Sequence, residues 1–236
     1  MNAEIREEAM RRGITRLCHF TPSRNLAYIM SGRVGILATR RLEADERALY
    51  NPTDLQRYDR HEDYICCSIE YPNAWYFEHA KGRERLFKDW VVLLIDPGYL
   101  WEEGTRFCPR NAAAGFGREV GSGTDAFRAM FAGAVPGAYG RTFIRRNSHL
   151  QCSPTDDQAE VLIPDRIAIE HLMGVVVSSQ TQARNELVRF RLSGLDLRGL
   201  PLIVAPTSYE KRDLSACIRR GERPREVVFD PGGTDE

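Results

Sequence analysis

Apolar residues along this chain fall into short dense runs, each closed by a Gly, Pro, Asn or Asp turn signal. The densest is "DWVVLLIDP", residues 89–97. An unbroken apolar run between turn formers predicts a strand covered on both faces, and therefore central in its sheet. "YICCSI" (64–69) predicts a buried strand, and "RLCHFT" (16–21), "VGILAT" (34–39), "MGVVVSS" (173–179) and "LPLIVAP" (200–206) predict further strands. Helical spacing lies between them. Residues 3–12 read as a short solvated helix ending at Gly13. In "RNLAYIMSG" Leu26, Ile29 and Met30 form one apolar face, with Pro22 and Ser23 as the start signal and Gly32 as the stop. A turn at Pro72–Asn73 leads into a helix carrying Trp75, Tyr76 and Phe77; residues 181–192 and a tail near Leu214 to Arg220 are also helical. Two stretches lack a core pattern. Residues 40–63 are long and polar with weak helical character, the mark of a functional or mobile segment. Residues 107–146 are Gly/Ala-rich and read as loop with one short helix near Phe127 to Phe131. With no internal repeat and no linker, the pattern predicts a single α+β domain over residues 1–236.

One position breaks the pattern. In "HLQCSPTDDQAEVLIPD" (149–165) a polar loop runs into the strand Val161-Leu162-Ile163, and Glu160 stands at the junction. A buried charge costs several kcal/mol unless it is paired or stays wet. An edge residue with its head in solvent would explain it, and so would a carboxylate with work to do.

Composition narrows the choice of work. The chain is 42% hydrophobic and 28% charged, with no net charge, so no bulk field draws it to nucleic acid or to an anionic membrane. Any polyanion site must be a local patch. Three of the 33 basic residues are lysine (Lys81, Lys88, Lys211) and the rest arginine, a bias that phosphate binding or a GC-rich genome would each produce. The six cysteines match neither a zinc site nor a disulfide framework, and scattered free thiols suit a reducing cytoplasm. A charged, helical N-terminus without an apolar core, and the lack of any membrane-length apolar stretch, lead to the same expectation of a cytoplasmic protein.

Common catalytic signatures are missing. "GFGREVGSG" (115–123) is G-x-G-x-x-x-G, follows no predicted strand and opens no clear helix, so it fails as a dinucleotide fingerprint. There is no Walker loop and no serine elbow, and His61-Glu62-Asp63 lacks a second histidine at ligand spacing, so no metal is expected. A distributed set remains: His19 and Thr21 at the end of a strand, an Arg-rich polar segment, the Trp75-Tyr76-Phe77 run and Glu160. Each has an ordinary reading, as a hydrogen-bonded core histidine, a solvated face, a core stripe and an edge residue.

Taken in order, these segments resemble a family. "RLCHFTPSRNL" is similar to the H-[IF]-T-x-x-x-N-L opening of the DarT family, bacterial DNA ADP-ribosyltransferase toxins; "ICCSIEYPNAWYF" resembles its strand-Pro-aromatic helix, and "TDDQAEVLIPD" its Q-A-E-[FV]-L loop-strand motif. The resemblance is strongest over residues 14–180. It implies an ADP-ribosyltransferase fold with a split central β-sheet and flanking helices, NAD as co-substrate, single-stranded DNA as acceptor, and a macrodomain antitoxin of the DarG kind as partner. "YPNAWYF" and "FCPRNAAAG" look closer to the guanine-modifying branch than to the thymidine-modifying one. On the residues, the resemblance implies Glu160 as the catalytic carboxylate and His19 on the adenosine ribose, with Thr21, Asn25 and Leu26 nearby. Tyr76 would stack on nicotinamide and Asn111 would face the active site. An arginine, here Arg57 in preference to Arg40, Arg41 or Arg60, would hold the pyrophosphate. Arg141, Arg145, Arg146 and His149 would guide the DNA, a solvated face being the other reading of the three arginines. Transfer to protein or RNA, and a silent NAD- or DNA-binding module, are the competing functions.

Overall fold

The computed structural model describes residues 1–31, 35–42, 58–84, 87–137 and 140–232. These form six α-helices and a nine-stranded sheet with two small two-stranded sheets. The helices are α1 (Ala3–Arg12), α2 (Asn25–Ser31), α3 (Ala74–Arg83), α4 (Gly123–Ala129), α5 (Gln180–Leu192) and α6 (Lys211–Arg220). The strands of the large sheet are β1 (Leu17–Pro22), β3 (Tyr64–Ile69), β4 (Trp90–Ile95), β5 (Arg106–Cys108), β6 (Gly121–Ser122), β9 (Glu160–Pro164), β11 (Leu172–Val177), β12 (Leu202–Val204) and β13 (Val227–Val228). Their order is β13-β12-β11-β4-β1-β3-β9-β5-β6.

β4 is interior, as its apolar run predicts, and it is sandwiched. Val91, Leu93 and Ile95 join the main core with Leu17, Ile69 and Phe107, while Trp90, Val92 and Leu94 pack on the other face against Phe77 and Tyr209. Both faces are dry, so alternation is lost and the strand reads as continuous hydrophobe.

The sheet is split at β1. That strand pairs with β4 along its whole length, from Leu17↔Ile95 to Pro22↔Trp90. With β3 it pairs only at Leu17↔Ile69 and Cys18↔Ser68. From His19 onward the two strands part, and β3 runs on against β9. Glu70 closes the joined end. Its carboxylate, 1% exposed, accepts from Thr15 N (2.8 Å), Thr15 Oγ (3.0 Å) and Arg223 (2.8 Å). Its carbonyl accepts from Arg16 Nε at 2.9 Å, and its backbone stands in the left-handed region at φ 65°. Such strain in a non-glycine residue persists only where the surroundings over-determine it.

Some elements differ from expectation. Among the described residues of "VGILAT", β2 (Ile36–Leu37) is strand, and it pairs with β10 (Arg166–Ile167) rather than with the large sheet. Gly35 explains the detour: at φ 79° it lies so close to β10 that a Cβ would sit 2.1 Å from the Ile167 carbonyl oxygen. The Gly/Ala-rich stretch holds β5, β6 and the hairpin β7 (Ala134–Pro136) and β8 (Thr142–Ile144). These strands are two or three residues long, too short for a period to register. The helix expected near Phe127 to Phe131 begins earlier, at Gly123. Gly32 and most of the polar stretch 40–63 lie outside the described residues.

Candidate active site

Where β1 and β3 part, a cleft opens. Its lining includes His19, Thr21, Asn25, Tyr76, Asn111 and Glu160, so six residues expected in the site from sequence meet in one place. His19 is the first residue beyond the shared ladder. Its Nδ1 donates to the Cys66 carbonyl oxygen at 2.9 Å, bridging the strands as they diverge. Because a carbonyl only accepts, Nδ1 carries a proton. Thr21 lies near the end of β1, and its hydroxyl accepts from Asn25 Nδ2 at 2.8 Å.

Glu160 is 8% exposed and opens β9 opposite Cys108 of β5. The carboxylate is held at both oxygens: Asn111 Nδ2 donates to Oε1 at 3.1 Å and the Ala112 N–H donates to Oε2 at 3.2 Å. Asn111 cannot flip to present its oxygen, because Oδ1 caps the turn Ala112–Gly115 by accepting from Ala114 N at 3.3 Å. One short turn thereby fixes the plane of the carboxylate. Two buried thiols nearby are poor nucleophiles, since burial pushes Cys108 up to about 12 and Cys67 well above its ordinary value.

Two side chains of the cleft, one of them new, carry a polar atom left unmet among the described residues. Asn25 Oδ1 and Asn73 Nδ2 are buried and have no partner among the described residues. Asn73 caps α3, its Oδ1 accepting from Tyr76 N at 3.0 Å, which leaves its amide N–H groups to the cleft. A buried polar group without a partner costs about 1–3 kcal/mol. An acceptor and a donor left open in one cleft fit a polar ligand with complementary groups. Sequence reading missed Asn73; its place before a helix marks a cap, but nothing in the sequence marks the spare N–H.

The aromatic run divides three ways. Phe77 is core, Tyr76 lines the cleft and Trp75 is partly exposed, its indole N–H on Ser215 Oγ at 3.1 Å. Leu26 corrects an expectation. Only 1% exposed, it packs into the main core and is not part of the cleft, because one step along a helix turns the side chain away from the face Asn25 presents. Arg57 lies outside the described residues. Arg40 and Arg41 form exposed ion pairs with Asp63 and Asp165, each at 3.0 Å.

Two of the four residues expected on DNA face inward instead. The Arg145 guanidinium donates to the carbonyl oxygens of Ser153 (2.8 Å), Leu150 (2.7 Å) and Gln151 (3.3 Å), and burial pulls it down to about 10. His149 is buried with Nε2 donating to Pro154 O at 2.9 Å, and burial lowers its pKa. Both hold the loop that delivers Glu160. Arg141 and Arg146 are exposed and make no ion pair among the described residues.

A sequence model of the family described as "ssDNA thymidine ADP-ribosyltransferase, DarT" matches residues 18–209. The chain belongs to the DarT family. No curated protein matches it. Among solved structures it is similar to DarT of Thermus sp. 2.9 in complex with NAD+, at 14% identity and TM-score 0.53, covering 83% of this chain and 97% of that one. The same enzyme in complex with ADP-ribosylated ssDNA matches at 11% identity and TM-score 0.52, covering 84% and 97%. At these identities the likeness shows a DarT fold. Among the described residues, no cluster of His, Cys, Asp or Glu is placed to hold a metal ion and no helix is long and apolar enough to cross a membrane.

Proposed function

We propose that this chain transfers ADP-ribose from NAD to a base of single-stranded DNA, with Glu160 as the catalytic carboxylate. The observation that carries the reading is the Glu160 carboxylate, held at both oxygens in the cleft that His19, Thr21 and Asn25 line. In such a transfer the bond between C1′ of the ribose and the nicotinamide nitrogen breaks, and its electron pair leaves with nicotinamide. A base nitrogen or oxygen then bonds to C1′ and gives up a proton. Positive charge builds on the ribose at the transition state, as in glycoside cleavage. A fixed carboxylate beside it stabilises that charge without reorganising, and can accept the departing proton.

The remaining roles are those the family resemblance implies for residues of the cleft and, in the case of Arg57, for a segment outside the described residues. His19 meets a hydroxyl of the adenosine ribose, with Thr21 and Asn25 beside it. Asn25 Oδ1 and Asn73 Nδ2 supply an acceptor and a donor for polar groups of NAD. Tyr76 stacks on nicotinamide, and Arg57 holds the pyrophosphate through charge-assisted bonds. Arg141 and Arg146 meet the DNA backbone, and a macrodomain antitoxin able to remove ADP-ribose is the partner that the family resemblance supplies.

Two bases compete as acceptor. "YPNAWYF" and "FCPRNAAAG" favour guanine, and the description of the matched family favours thymine. Oligonucleotides holding one guanine, one thymine or neither, incubated with NAD and weighed by mass spectrometry, decide between them. Modification of the guanine strand alone supports the first, and of the thymine strand alone the second. Modification of none overturns a DNA acceptor.

A further inference from the structure

Residues 115–123, "GFGREVGSG", have no part in the site as described, although they continue the turn that holds Glu160. Phe116 ends that turn. Its N–H donates to Ala113 O at 3.1 Å, its backbone is left-handed at φ 54°, and the residue is 54% exposed. The chain accepts two penalties there: an aromatic side chain where the backbone favours glycine, and a large apolar ring in water. Among the described residues the ring makes no aromatic or cation contact that would offset them. Gly117 fixes the orientation. Its N–H bonds Ala112 O at 3.0 Å, and a Cβ on it would lie 2.2 Å from the Asp59 carbonyl oxygen, so the turn is seated against Asp59 with Phe116 outward.

Arg118 follows. Its Nε donates to Gly115 O at 3.1 Å, which anchors an exposed guanidinium two residues after Phe116, and it forms no ion pair among the described residues. The nearest acid in sequence, Glu119, pairs with Arg110 at 3.3 Å. The turn therefore has one end on the catalytic carboxylate, through Asn111 and Ala112, and at the other an outward aromatic with an anchored cation. Strained residues collect where a fixed geometry serves a ligand. Aromatic rings interleaved with Arg are the means by which single strands are held, because every base has a π-face and every linkage a phosphate.

We propose that Phe116 and Arg118 form the acceptor-strand platform: a base of single-stranded DNA stacks on the Phe116 ring and a neighbouring phosphate meets Arg118. This rests on the reading of the chain as a transferase acting on single-stranded DNA. The turn then couples two tasks, since the element that orients Glu160 also sets where the strand lies.

Phe116→Gly tests it, because the fold and the platform respond in opposite directions. The substitution suits a left-handed φ, so the melting temperature stays level or rises, and NAD hydrolysis without DNA stays within about twofold. The KM for a single-stranded oligonucleotide rises about tenfold or more, the range of one lost base–aromatic stack. Phe116→Tyr keeps the ring and keeps KM. Arg118→Ala lowers the salt slope of binding by about one phosphate contact. An unchanged KM in Phe116→Gly overturns the platform, and so does a loss of melting temperature and hydrolysis together, which would make Phe116 structural. Fluorescence anisotropy of a labelled oligonucleotide separates the two readings. Binding lost in Phe116→Gly, with no transfer to DNA by the parent, leaves the platform and removes the acceptor chemistry. Transfer retained by both proteins removes the platform alone.

Discussion

Replacing Glu70 by glutamine probes the clamp at the joined end of the split sheet. The carboxylate is 1% exposed and takes two hydrogen bonds from Thr15 and one from Arg223. An amide retains one acceptor and turns an NH2 group toward donors, so at least one contact becomes donor against donor. Breaking a buried ion pair by removing one charge costs about 3–5 kcal/mol. The Arg223 side chain is 53% exposed and regains water, which brings the expected loss to about 2 kcal/mol. For a chain of this length that lowers the melting temperature by about 4–8 °C. The joined end also sets where His19 leaves β3, so a loosened clamp widens the cleft and raises the KM for NAD more than it lowers kcat. Thermal unfolding and initial-rate kinetics on the same preparation measure both. A melting temperature within about 1 °C of the parent would refute the clamp, since even one lost charge-assisted hydrogen bond exceeds that.

Asp156 lies in the loop before Glu160, where burial pushes its carboxyl from 3.8 up to about 6. Its folded pKa lies above the unfolded one, so its cost to stability is absent below about pH 4, grows as pH rises and is complete above about pH 6. Asp156→Asn keeps an acceptor for Gln158 N–H. It should therefore be more stable than the parent at pH 8, by on the order of 3 kcal/mol, and equally stable at pH 4; a gap independent of pH contradicts this. Asn111→Ala removes one of the two donors that orient Glu160, and kcat should fall about tenfold or more with KM for NAD little changed. Arg145→Ala should lower the melting temperature without changing the salt dependence of DNA binding, whereas Arg141→Ala with Arg146→Ala should flatten that dependence and leave melting unchanged.

Much of this fold was legible because its long strands are buried on both faces. "YICCSI" and "DWVVLLIDP" are strands with the expected limits, and a carboxylate at the start of "EVLIPD" does face a cleft. The split was legible only through resemblance, since no residue of β1 announces that its ladder to β3 stops after Cys18. Arg145 and His149 were misplaced for a related reason. Beside a polar loop a guanidinium serves phosphates or the loop's own carbonyls equally well, and composition cannot tell them apart. Leu26 was avoidable: a helix that turns Asn25 to the cleft must turn its neighbour elsewhere. Asn73 and Phe116 needed coordinates, because a spare N–H and a left-handed φ leave no pattern in the sequence.

The central claim is that the Glu160 charge drives the transfer, and Glu160→Gln measures it most directly. The amide is nearly isosteric and accepts from Ala112 N–H as the carboxylate does, while its NH2 faces the fixed Asn111 Nδ2, so melting temperature should fall by no more than about one lost hydrogen bond and NAD affinity should hold. Mass spectrometry of the single-stranded oligonucleotide that the parent modifies then gives the rate. The account predicts a loss of at least about two orders of magnitude with the fold intact. A rate within about tenfold of the parent would contradict it.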